Sequence, residues 1–160
     1  MGLQSDKQVL IPADQLIPRI LTLRGQRVIL DSDLAAVYGT ATRTFNQAIT
    51  RNAKRFPLDF MFTLTADEKR EVITNCDHLR HLKFSPYLPR AFTEHGAVMA
   101  ASVLNTPHAV EASIFVVRAF IRLREVMQVQ RALATQLKEL ERKVDSSVKT
   151  PPRMYGRDHM

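Results

Sequence analysis

DSDLAAVYGTATRTFNQAITRN, residues Asp31 to Asn52, reads as two short helices joined by a tight glycine turn. Counting Asp31 as the first position, Ala35 is fifth, Gly39 ninth and Phe45 fifteenth. Two helices crossing at close range need a small residue where they touch, a φ > 0 residue at the turn and an apolar residue to seat the second helix. Leu34, Tyr38, Phe45, Ala48 and Ile49 supply the inner surface. Thr40, just after the turn, is more polar than a helix-turn-helix usually places there. In such a unit one helix braces against a core while the other enters the DNA major groove.

The second helix is expected over Thr42–Arg55, stopping before Phe56-Pro57. Arg43, Gln47, Thr50, Arg51 and Lys54 follow the i, i+4, i+7, i+8, i+11 spacing of one outward face. Arg and Gln make bidentate contacts to guanine and adenine edges, whereas Lys and Thr hold phosphates. Arg43 and Gln47, nearest the N-terminal end, are therefore assigned to bases, with Thr44 and Asn46 flanking them as second choices. Arg51, Lys54 and Arg55 are assigned to phosphates. The same pattern also describes an amphipathic helix pair with a solvated basic face.

The bulk numbers agree with a polyanionic partner. The chain has 160 residues, a net charge of +7 and 45% hydrophobic residues, enough for one domain and an appendage. Its single cysteine, Cys76, excludes an intrachain disulfide and fits a reducing compartment. The opening MGLQSDKQVLIPAD is too polar for a secretory signal, and Asp6 stands where myristoylation needs Ser or Thr. No stretch approaches the ~20 apolar residues of a membrane span. The expectation is a cytoplasmic protein that makes no membrane contact.

Outside the central stretch, residues 1–15 read as a flexible lead. Ile17, Ile20, Leu21 and Leu23 approach a turn at Arg24-Gly25-Gln26, and Val28, Ile29 and Leu30 leave it, which predicts a hairpin. Asp31, Ser32 and Asp33 are placed to cap the first helix, which ends at Tyr38 with Gly39 left-handed. Asp59–Leu64 predicts a strand, and Thr65-Ala66-Asp67-Glu68 is a capping box opening a helix over 66–76. Residues 77–92, with Pro86 and Pro89, are less regular and end in a strand over Leu88–Phe92. Thr93 caps a helix through Leu104, and Pro107 starts another that nothing interrupts until about Asp145.

That last helix carries a heptad seam, Val116, Ala119, Leu123, Val126, Gln130, Leu133, Leu137, Leu140 and Val144. Ile114, Val117, Phe120 and Ile121 widen the apolar face of its first half, which is expected to pack on the domain. Beyond Arg124 the stripe narrows, so Val126, Gln130, Leu133, Leu137, Leu140 and Val144 are assigned to a homodimer, with Gln130 fixing register. A helix folded back on its own domain is the alternative.

ILTLRGQRVILDSDLAAVYG, FNQAITRNAKRFPLDFMFTLTADE, LPRAFTEHGAVMAASVLN and VVRAFIRLRE, in this order over about residues 16–126, resemble the ORF6N domain. That domain belongs with the KilA-N and Bro-N group of bacteriophages, prophages and large DNA viruses. The resemblance implies DNA binding in a phage regulatory setting, with Asp31–Arg55 facing the DNA. It implies that RFPLDFMF is either a wing-like element or part of the sheet supporting the helices. Double-stranded DNA is thus the expected partner.

The remaining constellations are weaker. Cys76, His78 and His81 supply three metal-ligand types but no fourth neighbour, so no metal and no cofactor is expected. Glu94 and His95 look like an acid and a base, yet a helix start explains them, and no P-loop, GxSxG or HExxH is present. No catalytic residue is assigned. The fold class is helix-rich α+β, with a helix-turn-helix core, a small β-hairpin or sheet and a long C-terminal helix. The domain covers 16–126, the helical extension 127–148 and a disordered tail 149–160. The functional reading is a phage-type DNA-binding regulator acting as a dimer. Its rivals are a protein-interaction module, such as an antirepressor binding a protein partner through the tail, and a metal-dependent nuclease using Asp77, His78, His81 or His95.

Overall fold

In the computed structural model, which describes residues 10–149, the chain divides into two units after Ile121. The first is built on a four-stranded antiparallel sheet in the order β1-β2-β4-β3. Its strands are β1 (Leu21–Leu23), β2 (Gln26–Leu30), β3 (Met61–Thr63) and β4 (Arg90–Phe92). The β1–β2 hairpin closes through Arg24 and Gly25, whose φ angles of 54° and 73° are both positive. A two-residue turn of that hand matches the right-handed twist of its strands. RFPLDFMF supplies β3, which pairs with β4 in the sheet and is therefore a supporting strand rather than a free wing.

Side chains alternate across the sheet and serve two cores. Ile29 and Phe92 face a helical cluster with Leu34, Phe45, Ile49, Ala97 and Val116. Val28, Leu30, Phe62 and Ala91 face the other way, onto Val72, Leu79 and Leu82. The helices of the first cluster are α1 (Ala13–Leu16), α2 (Asp31–Val37), α3 (Thr42–Arg51), α5 (Glu94–Leu104) and the start of α6 (Pro107–Lys149). The second is covered by α4 (Ala66–Asn75) and a 3-10 turn over Asp77–Leu82. The fold is a helix-rich α+β arrangement with a long C-terminal helix, as the sequence predicts.

Local chemistry sets most boundaries. Gly39, at φ 74°, lets its own N–H reach the Ala36 carbonyl and the Thr40 N–H reach that of Ala35, closing α2. Thr65 and Glu68 exchange both capping-box hydrogen bonds, and Thr93 Oγ1 accepts from the Gly96 N–H. Gly96 has a packing reason as well, since a Cβ there would stand 1.9 Å from the Phe60 carbonyl oxygen.

Four expectations change. The flexible lead does not extend to residue 15, because Ala13 and Leu16 bury themselves in α1; residues 1–9 lie outside the described residues, as do 150–160 of the expected tail. The helix predicted to Arg55 stops at Arg51, and Ala53–Arg55 form a separate 3-10 turn after Asn52, whose side chain donates back to the Ala48 carbonyl. Asp31 opens α2 without acting as its N-cap, which is Leu30. In α6 the inward stripe is Ala109, Ala112, Val116, Ala119 and Phe120, while Ile114 and Ile121 are exposed. Three alanines let the helix approach closely, with Val116 and Phe120 buried beside them, and the two isoleucines are left out.

Arg24 forks onto Glu68 at 2.8 and 2.9 Å, with its guanidinium 4.1 Å above the Phe62 ring. The Arg24 hydrogen bond first, then the Thr65 N–H, hold the Glu68 carboxyl at about 2 instead of 4.5. A depressed carboxyl stabilises the fold fully above 4.5, and that contribution is lost as pH falls toward about 2. Urea midpoints of the parent chain and Glu68→Gln should therefore differ at pH 6 and converge at about pH 2. A constant gap across that window would contradict this role for the pair.

Candidate nucleic-acid interface

The outer surface of α3 is one wall of an open trough. Arg43, Gln47, Thr50 and Arg51 stand exposed along it, and Tyr87, Leu88 and Arg90 form the opposite wall. Asn46 and the Asp31 carboxylate lie between them. On its inner side α3 is seated by Phe45 and Ile49, both fully buried, with the Phe45 ring edge-on to Phe92 at 5.3 Å.

Asp31 is also fully buried, yet it is an acid. Its carboxylate accepts from the Ser32 N–H at 2.8 Å, Asn46 Nδ2 at 2.9 Å, the Arg90 N–H at 3.2 Å and the Tyr87 hydroxyl at 3.4 Å. Burial pushes its carboxyl above the usual range, and the four hydrogen bonds pull in the opposite direction. Burial likewise raises the Tyr87 phenol, as does the Asp31 charge. One side chain thus ties together the start of α2, the middle of α3, the start of β4 and the residues before it.

Arg90 completes the tie from the other side. Its Nη1 donates to the backbone oxygen and the Oδ1 of Asn46, each at 3.2 Å, and its Nη2 donates to Thr50 Oγ1 at 2.9 Å. The Asn46 amide is consequently used at both ends, its nitrogen by Asp31 and its oxygen by Arg90. Thr50 accepts from Arg90 and keeps its own hydroxyl proton for donation. Among the described residues, Asp31 is the one acidic side chain lining the trough, beside three arginines.

The other residues picked from the sequence are more scattered. Thr44 is exposed but lines a separate depression with Tyr38, Gly39, Thr40 and Val103. Lys54 and Arg55 are exposed on the 3-10 turn and do not continue the α3 stripe. His78 Nε2 lies 3.1 Å from Asp33 Oδ2, His81 faces the His78 carbonyl at 3.1 Å, and His95 stacks on Phe60. Among the described residues, no three His, Cys, Asp or Glu side chains gather as metal ligands. Spacing marks Asp31 only as a helix cap and does not mark Tyr87 or Arg90. The motif LPRAF contains Arg90, but no periodicity connects a strand residue to a helix about forty positions earlier.

In the second unit, Val126, Leu133, Leu137, Leu140 and Val144 are 44–58% exposed along α6, and Gln130 is exposed with them. No helix of the described residues is long and apolar enough to cross a membrane.

The family model of the ORF6N domain matches residues 18–103, more than half of the chain. No curated protein and no solved structure matches it.

The Asp31 network has a measurable cost of removal. Asp31→Ala leaves part-buried donors from Arg90 and Asn46 without an acceptor, at about 1–3 kcal/mol each, and should destabilise the chain by roughly 2–6 kcal/mol in urea unfolding. Arg90→Ala, which removes bonds at a half-exposed site, should cost about 1 kcal/mol. Equal costs for the two would contradict the ranking.

Proposed function

The chain belongs to the ORF6N domain family, and we propose that it is a phage-type DNA-binding regulator that lays α3 in the major groove of double-stranded DNA. The observation that carries this reading is the convergence of Arg43, Gln47, Thr50, Arg51 and Arg90 on one open trough. A net charge of +7 adds long-range attraction to a polyanion.

Arg43 and Gln47, in the first half of α3, are the base readers, since each presents a free fork to a guanine or adenine edge. Thr50 and Arg51 hold phosphates, joined by Lys54 and Arg55 from the following turn. Thr44 contacts the flank. Asn46 is a positioning residue rather than a reader, because Asp31 and Arg90 occupy both ends of its amide. The protein does no covalent chemistry and uses no metal or cofactor in this role.

The seam Val126, Gln130, Leu133, Leu137, Leu140 and Val144 pairs two copies. A homodimer can offer its two recognition helices to successive major grooves, about 34 Å apart. A second reading rests on the same exposed leucines, which equally suit a helix from a protein partner, as in an antirepressor.

Binding measured on a preferred duplex and on random duplexes separates these roles. Arg43→Ala or Gln47→Ala should cost about 1–3 kcal/mol on the preferred site and little on random DNA. Arg51→Ala should weaken both and lower the salt slope by about 1. Unchanged affinity in all three would reject the α3 face. Leu133→Asp with Leu137→Asp should yield monomers that bind DNA more weakly; monomers with undiminished DNA binding would favour the protein-partner reading.

A further inference from the structure

On the other side of Leu88 from the α3 trough lies a second groove, of about 1030 Å³, between α4 and residues 80–88. Leu88 is 41% exposed and lines both, so the two depressions adjoin at this residue. The groove is bordered by Lys69, Arg70, Arg80 and Lys83, and among the described residues no carboxylate lines it. Arg70 and Arg80 lean on Asp67 and Asp77 within their own turns, both pairs largely in solvent. Lys83 has no such carboxylate among the described residues; its Nζ lies 5.7 Å from the Phe84 ring centre.

Phe84 is 89% exposed, the most exposed large apolar side chain of the described residues. Burying such a ring would remove its apolar surface from water, a gain that the free protein forgoes. The ring is nevertheless presented from a fixed base. Leu79 and Leu82 are buried beneath the segment, the Ser85 N–H donates to the Leu82 carbonyl, and Lys69 Nζ donates to the carbonyls of Ser85 and Tyr87. Tyr87 in turn reaches Asp31, so this segment and α3 share one network.

We propose that residues 80–84 are a second DNA-contacting element, gripping the flank of the same duplex whose major groove α3 enters. An apolar ring set among cations matches a nucleic-acid surface, where phosphates meet Arg80 and Lys83 while sugars or base steps meet Phe84. An acidic peptide would satisfy the charges as well. Adjacency to the α3 trough at Leu88 selects DNA. The inference rests on the α3 reading, but its residues are distinct.

The test compares the full chain with Lys83→Ala, Phe84→Ala and Arg43→Ala on one preferred duplex, by titration at several salt concentrations and by footprinting. Lys83→Ala should lower the salt slope by about 1. Phe84→Ala should weaken binding roughly 10-fold or more, through loss of the ring's apolar contact with the duplex flank. Both should shorten protection on one flank without altering the preferred sequence. If Arg43→Ala weakens binding while the other two change neither affinity nor footprint, the second element is wrong and the α3 reading stands. If only Lys83→Ala and Phe84→Ala weaken it, the second element stands and the α3 reading fails. Capture of poly-glutamate in preference to duplex DNA, lost in Phe84→Ala, would assign the groove to acidic protein and overturn the proposal.

Discussion

The Asp31 carboxylate accepts hydrogen bonds from four donors that the fold brings to one place. Asp31 is removed from water entirely, at a desolvation cost that a lone carboxylate could not bear. Its donors come from Ser32, Asn46, Tyr87 and Arg90, and the last three lie on other parts of the fold. The acid is stable there only when all of them arrive together. That requirement orients α3 about its own axis, a property that apolar packing of Phe45 and Ile49 alone would leave looser. A surface held this way has little conformational freedom to lose if it meets a partner.

Strand β4 distributes that constraint. Arg90 pins the outer side of α3, Ala91 packs into the α4 core, Phe92 packs into the helical core, and Thr93 caps α5. Four consecutive residues therefore couple four different surfaces. The alternation of a strand makes this economical, since neighbours point to opposite faces without any insertion. It also means that the trough and both cores share a single short element. Change at one should be felt at the others.

Features set by neighbours in the chain were legible in the sequence. The Arg24-Gly25 turn, the Thr65–Glu68 capping box, the Thr93 cap and the Gly39 stop all rest on bonds spanning a few residues. Where periodicity alone was available, the reading slipped. Helix α6 has two apolar stripes, and the one with Ile114 and Ile121 faces outward while Ala109, Ala112, Val116, Ala119 and Phe120 pack inside. Hydrophobic spacing does not reveal which stripe a close helix contact will choose. The stripe of Arg43, Gln47, Thr50 and Arg51 came through from spacing, but Lys54 did not, because the backbone changes course at Asn52. The Asp31–Asn46–Arg90 tie was invisible, being a set of contacts 15 to 59 positions apart between residue types with no periodic signature.

A rigidly held α3 that reads base sequence, as proposed, behaves differently from one that merely attracts phosphates. Selection of bound fragments from random duplex DNA, repeated at about 50 and 200 mM salt, tests it most directly. The account predicts one enriched motif at both concentrations, with the yield but not the motif falling as salt rises. Strong recovery at low salt with no enriched sequence, lost at high salt, would contradict it and leave only electrostatic attraction.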